Sequence, residues 1–202
     1  MNPDEEPGPA ELLDAIDAEH RRISQRVTAD PAVINGIWAL AWFVGFGVAY
    51  LAHGPDRLLP GWLGPSVPAV LIVAAFALTL GYAIRTGAGI AGPSRTSMAM
   101  YGGSWSLGFV CLTVVNTVLV RRGMAPDTAI LLWSASSLLL AGVLQLAGGA
   151  LLRDRVLYGT GVWTMASAAG AVIAGVPGNF LVLSLAGGGG FALLAAWTRH
   201  RR

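Results

Sequence analysis

Apolar residues run along the chain in six long blocks, at about 34–52, 67–84, 101–120, 128–152, 156–175 and 180–197. Short stretches rich in Arg, Asp, Pro and Gly separate them. A helix needs roughly 17–25 apolar residues to cross a bilayer, and each block comes close to or reaches that length. The pattern predicts an all-α polytopic membrane protein, a six-transmembrane-helix bundle occupying residues 31–198. The first block is not read as a cleaved signal peptide, because 33 mostly polar residues precede it.

Local markers set the expected ends. Asp30-Pro31 puts a capping carboxylate before a proline, so the first helix is expected to begin at Pro31. Pro126-Asp127-Thr128 gives the same reading for the fourth helix, with Asp127 on the orphan amides. Pro177-Gly178-Asn179 reads as a tight outer turn between the fifth and sixth helices. Residues 54–68, with Pro55, Pro60, Pro65 and Pro68, read as an irregular outer loop.

Ahead of the first span lies an acidic arm, residues 1–30. Within it, 10–27 place Leu12, Ile16, Ile23 and Val27 at helical spacing, with acids first and arginines last, as the helix dipole favours. This predicts a short amphipathic N-terminal cytoplasmic helix. It either lies on the inner membrane surface or docks a cytoplasmic protein partner. Residues 199–202 form a basic cytoplasmic tail.

Composition agrees with the block pattern. Residues are 54% hydrophobic and 12% charged, against about 25% charged in soluble domains, and the mean hydropathy is +0.62. The basic residues are 13 arginines with no lysine, and the formal net charge is +2. The acids outside residues 1–30 are Asp56, Asp127 and Asp154. With the N-terminus inside, Arg21, Arg22, Arg26, Arg85, Arg95, Arg153, Arg155, Arg199, Arg201 and Arg202 fall on the inner side. Only Arg57, Arg121 and Arg122 fall outside, which favours both termini in the cytoplasm of a multi-pass cell-membrane protein. The pI near 9.1 does not indicate nucleic acid, because the arginines are scattered between apolar runs and form no contiguous patch.

Three local sequences echo one another: Asn35-Gly36-Ile37-Trp38, Tyr101-Gly102-Gly103-Ser104-Trp105 and Tyr158-Gly159-Thr160-Gly161-Val162-Trp163. Each opens an odd-numbered helix on the expected inner side. Parallel two-helix repeats would produce this pattern, and so would an aromatic belt at the headgroups.

Motifs for chemistry are sparse. Without lysine there is no P-loop, and there is neither His-Glu-x-x-His nor Gly-x-Ser-x-Gly. His20, His53 and His200 are dispersed. We therefore expect no catalysis, no cofactor and no metal. No carboxylate lies near the centre of a span, which disfavours cation exchange and leaves a small neutral or anionic solute. The polar candidates for a solute path are Asn116, Gln145 and the run Gly187, Gly188, Gly189 and Gly190, with Tyr101 and Trp105 at the inner mouth. For the amides the alternative role is interhelical hydrogen bonding, and for the glycines it is close helix packing rather than a break. Cys111 reads as a buried small hydrophobe, and His53 as a surface residue at the outer end of the first helix.

Tyr101-Gly102-Gly103-Ser104-Trp105 resembles the Tyr-Gly-x-x-Trp that opens the third helix of the acetate uptake transporter family. Gly178-Asn179, Leu185-Ala186-Gly187 and the small residues through Ala196 are similar to its last helix. Ala29-Asp30-Pro31-Ala32 resembles its opening Ala-Asn-Pro-Ala-Pro-Leu-Gly, with Asp30 in place of Asn and Val33-Ile34 in place of Pro-Leu. The resemblance implies six helices per subunit, a homo-oligomer with a path through each subunit, and proton-coupled uptake of acetate or succinate. The residues alone leave two functions open. One is a small secondary transporter or channel. The other is a non-catalytic membrane subunit or regulator that anchors a partner through residues 1–30, including a permease subunit that needs a separate ATPase.

Overall fold

The computed structural model describes residues 8, 30–87 and 93–200. The amphipathic helix expected at 10–27, nearly all of the acidic arm, and Arg201 and Arg202 lie outside the described residues. The elements are α1 (Pro31–His53), α2 (Leu63–Gly87), α3 (Pro93–Arg121), α4 (Pro126–Leu152), α5 (Arg155–Ala174) and α6 (Gly178–His200). Among the described residues all six have a stretch long and apolar enough to cross a membrane.

Helix starts follow local chemistry, with two corrections. At α1, Asp30 Oδ1 accepts the Ala32 N–H at 2.8 Å and Pro31 occupies the first turn. At α5, Asp154 Oδ1 accepts the N–H groups of Val156 at 2.8 Å and Leu157 at 3.1 Å. At α4, however, Ala125 is the capping residue and makes no side-chain bond. Asp127 sits inside the first turn, where it offsets the helix dipole without capping an amide. The second correction concerns the outer loop, because Leu63–Pro68 are already helical. Pro65 falls in the first turn, where no N–H is needed. Pro68 lies deeper in the helix, and its backbone rests against α1 where a side chain at Gly45 would come within 3.1 Å of its Cα.

Between α4 and α5 only Arg153 and Asp154 intervene. Arg153 closes α4 in the left-handed region, with φ 54° and ψ 34°, a position that usually takes glycine. Replacing Arg153 with glycine is expected to raise stability by about 0.5–1 kcal/mol, read from denaturant unfolding in detergent.

Packing contacts order the helices α2–α1–α6–α5–α4–α3, a row in which α6 and α5 are central and α2 and α3 are terminal. Small residues allow the close approaches, as expected where packing rather than water exclusion joins helices. A Cβ at Gly149 would lie 2.5 Å from the Tyr158 amide nitrogen, and one at Gly161 would lie 2.8 Å from Gly142 O. The core runs along α1, α6 and α5 through Trp42, Phe46, Ala171, Phe180, Leu183 and Phe191. Terminal α3 packs mainly on α4. For that reason Cys111, expected to be buried, lies exposed on the uncovered side of α3. His53 departs the other way. It is half-buried, its ring 5.5 Å from that of Phe180 and close against Gly64 at the start of α2.

Candidate functional site: the seam between α1 and α6

The residues singled out in the sequence are distributed among several helix contacts. Asn116 is buried between α3 and α4, where its Nδ2 donates to Ser136 Oγ at 2.8 Å. Gln145 Oε1 accepts from Thr164 Oγ1 at 2.9 Å across α4 and α5. Tyr101 donates to Leu144 O at 3.0 Å and stands edge-on to Trp105, which stacks on Phe109. Breaking the Asn116–Ser136 pair by Asn116→Leu and Ser136→Ala, singly and together, is expected to show a coupling of about 0.6 kcal/mol in unfolding experiments.

Three aromatic donors tie each odd-numbered helix to the one that follows it. Trp38 Nε1 donates to Thr79 Oγ1 at 3.1 Å, joining α1 to α2. Tyr101 joins α3 to α4, and Trp163 Nε1 donates to Ala186 O at 2.9 Å, joining α5 to α6. The sequence echo thus corresponds to one recurring contact in three helix pairs, although in the second pair Tyr101 and not Trp105 makes it.

The glycine run does not interrupt α6. Leu183–Gly188 form a π-helical segment, and the α-helix resumes at Gly189 with φ −63° and ψ −40°. Two of the four glycines lie in that segment, and glycine weakens an α-helix, so a widened turn forms there at low cost. A Cβ at Gly187 would collide with the Trp42 ring, and one at Gly188 would meet the Phe43 backbone nitrogen at 2.7 Å. Gly190 lies against the Trp163 Nε1 in the same way, whereas Gly189 faces open space. Three of the glycines therefore carry helix contacts.

The seam that these glycines close is lined by groups the sequence did not advertise. Trp42 packs edge-on against Phe46 at 5.6 Å and Phe191 at 5.3 Å between ring centres. Unlike Trp38 and Trp163, its indole N–H is buried without a hydrogen-bond partner among the described residues. Asn179, in the first turn of α6, is completely buried, and both its Nδ2 and its Oδ1 lack a partner there. Between them, buried Ser184 donates to Phe43 O at 2.9 Å across the seam. Asn179, Leu183 and Gly187 recur at helical spacing on α6, with Ser184 beside them in the π segment. Burying an amide without partners costs about 1–3 kcal/mol, so native chains seldom leave one unless something binds it. Asn179 follows Pro177-Gly178 and so reads in sequence as a turn residue, and a tryptophan within an apolar run carries no signal of its own.

The seam offers indole, amide and hydroxyl groups, and the His53 ring lies 5.5 Å from that of Phe180 at its end. Such groups suit a solute with hydrogen-bonding oxygen atoms, whether neutral or anionic. Among the described residues, no three His, Cys, Asp or Glu side chains gather where they could hold a metal ion. Comparison of the chain with family models, with curated proteins and with solved structures gave no match.

Proposed function

We propose that this chain is an integral membrane protein, a small secondary transporter or channel whose neutral or anionic solute passes along the α1–α6 seam. The observation that carries this reading is the fully buried Asn179 amide with both polar atoms unpartnered. The unpaired Trp42 N–H and the adjacent π segment add to it, since π turns occur frequently at functional sites. Small carboxylates such as acetate fit the donors offered, in keeping with the resemblance to the acetate uptake family. The proposed setting is the cell membrane, with both termini cytoplasmic. The exposed apolar flanks of α2 and α3 would face lipid or neighbouring subunits of a homo-oligomer.

The test is uptake of labelled acetate, succinate and glycerol into proteoliposomes under an imposed pH gradient, against empty liposomes. Saturable uptake of one of them is the expected result. No uptake above the control, from protein shown to be folded and inserted, would overturn the transport reading. The alternative role, as a subunit anchoring a cytoplasmic partner, would then be pursued through residues 1–30.

A further inference from the structure

The short α4–α5 link forms a second polar site, separate from the seam. Arg153 and Arg155 flank a depression of about 330 Å³, lined also by Gly149, Asp154, Tyr158 and Gly159 and open to solvent. The carboxylate of Asp154 is engaged in capping α5. Neither guanidinium has a hydrogen-bond or ion-pair partner among the described residues. Arg153 also holds a left-handed backbone conformation that glycine would occupy without strain, so an arginine side chain sits here against the local backbone preference. Exposed Tyr158 provides an apolar ring with a hydroxyl beside the two charges, the kind of side chain that settles at the headgroup level of a bilayer. Gly159, also lining the depression, is exposed, and a Cβ there would meet nothing within 4 Å.

We infer that this depression binds a phosphate-bearing anion, with Arg153 and Arg155 as its cationic clamp and the tyrosine beside its apolar portion. Guanidinium groups match phosphate oxygens in a planar, two-pronged fashion. The headgroup of an acidic phospholipid and a soluble phosphate share this chemistry, and basic pockets between transmembrane helices are known to hold lipid headgroups. The inference draws on the membrane reading for the location of the site, but binding here requires no transport through the seam.

The test uses the full chain in a zwitterionic detergent, with thermal unfolding followed against added ligand. Dioctanoyl phosphatidylglycerol is compared with dioctanoyl phosphatidylcholine and with inorganic phosphate. A saturable rise of the unfolding midpoint with phosphatidylglycerol and not with phosphatidylcholine is expected. A matching rise with inorganic phosphate would assign the site to a soluble anion, and its absence to the lipid. Removing both arginines by Arg153→Gln and Arg155→Gln should weaken half-saturation about 25-fold, at roughly fivefold for each charge. Gly159→Leu puts a bulky side chain on the lining with both arginines in place, its Cβ meeting nothing within 4 Å, and should likewise abolish the shift. No shift in the unmodified protein, or equal shifts in all three proteins, would overturn the inference. Because nothing in this assay depends on uptake, failure here and failure of the seam are distinguishable.

Discussion

Replacing Gly188 with leucine is expected to push α6 off α1 and destabilise the protein by about 3 kcal/mol or more. The atom in the way is the Phe43 backbone nitrogen, 2.7 Å from where a Cβ would lie, and the Phe43 Cα is next at 2.9 Å. Backbone in the middle of a helix cannot rotate aside as a side-chain tip can, so the two helices must separate. The neighbouring Gly189→Leu is the matched control. A Cβ there meets nothing within 4 Å, and leucine is the better helix former by up to about 1 kcal/mol. Its unfolding midpoint should equal or exceed that of the unmodified protein. Denaturant unfolding in detergent reads both. Equal stability of the Gly188→Leu and Gly189→Leu variants would contradict the α1–α6 contact.

Asn179→Leu should move stability and function in opposite directions. Leucine has the same branching as asparagine, with methyl groups in place of the amide oxygen and nitrogen, and leaves no polar atom to satisfy. The folded state is therefore expected to gain about 1–3 kcal/mol. Solute uptake should fall sharply in the same variant, since the group that would meet the solute is gone. A residue kept at a cost to stability is the pattern expected at a functional site. Trp42→Phe is less diagnostic, because the cavity left by the smaller ring offsets what removal of the unpaired N–H contributes. If Asn179→Leu were both more stable and fully active, the amide would have no role in transport. If it were markedly less stable, Asn179 would have a structural partner that the packing does not reveal.

Span positions and helix order differ in how legible they are along the chain. The six helices long and apolar enough to cross a membrane could be read from block length alone, because crossing a bilayer asks one length of every apolar helix. The start of α1 could be read from Asp30-Pro31, since capping needs only residues next to each other. The order α2–α1–α6–α5–α4–α3 could not. Helices apolar on every side carry no amphipathic stripe to name the buried face, and the choice of partner rests on where small residues meet large ones. Gly187–Gly190 could be seen as unusual, but that Gly187 and Gly188 end a π turn and pack on Trp42 and Phe43, more than a hundred positions earlier, could not. Asn116 and Gln145 stood out as amides in apolar runs and find hydroxyl partners on the next helix. Asn179 resembled them in chemistry, but its place after a proline and a glycine hid it among turn residues.

Whether solute reaches the middle of the seam can be measured directly. Ser184→Cys, made with Cys111 replaced by alanine, puts one thiol between Trp42 and Asn179 on the α1–α6 contact. Ser136→Cys in the same background puts one on the α3–α4 contact, away from the proposed path. The account predicts that a small anionic methanethiosulfonate reagent, added to folded protein in proteoliposomes, modifies Ser184→Cys and leaves Ser136→Cys untouched. Modification of Ser184→Cys only after unfolding would show that the seam is a dry structural contact and would contradict the proposed path.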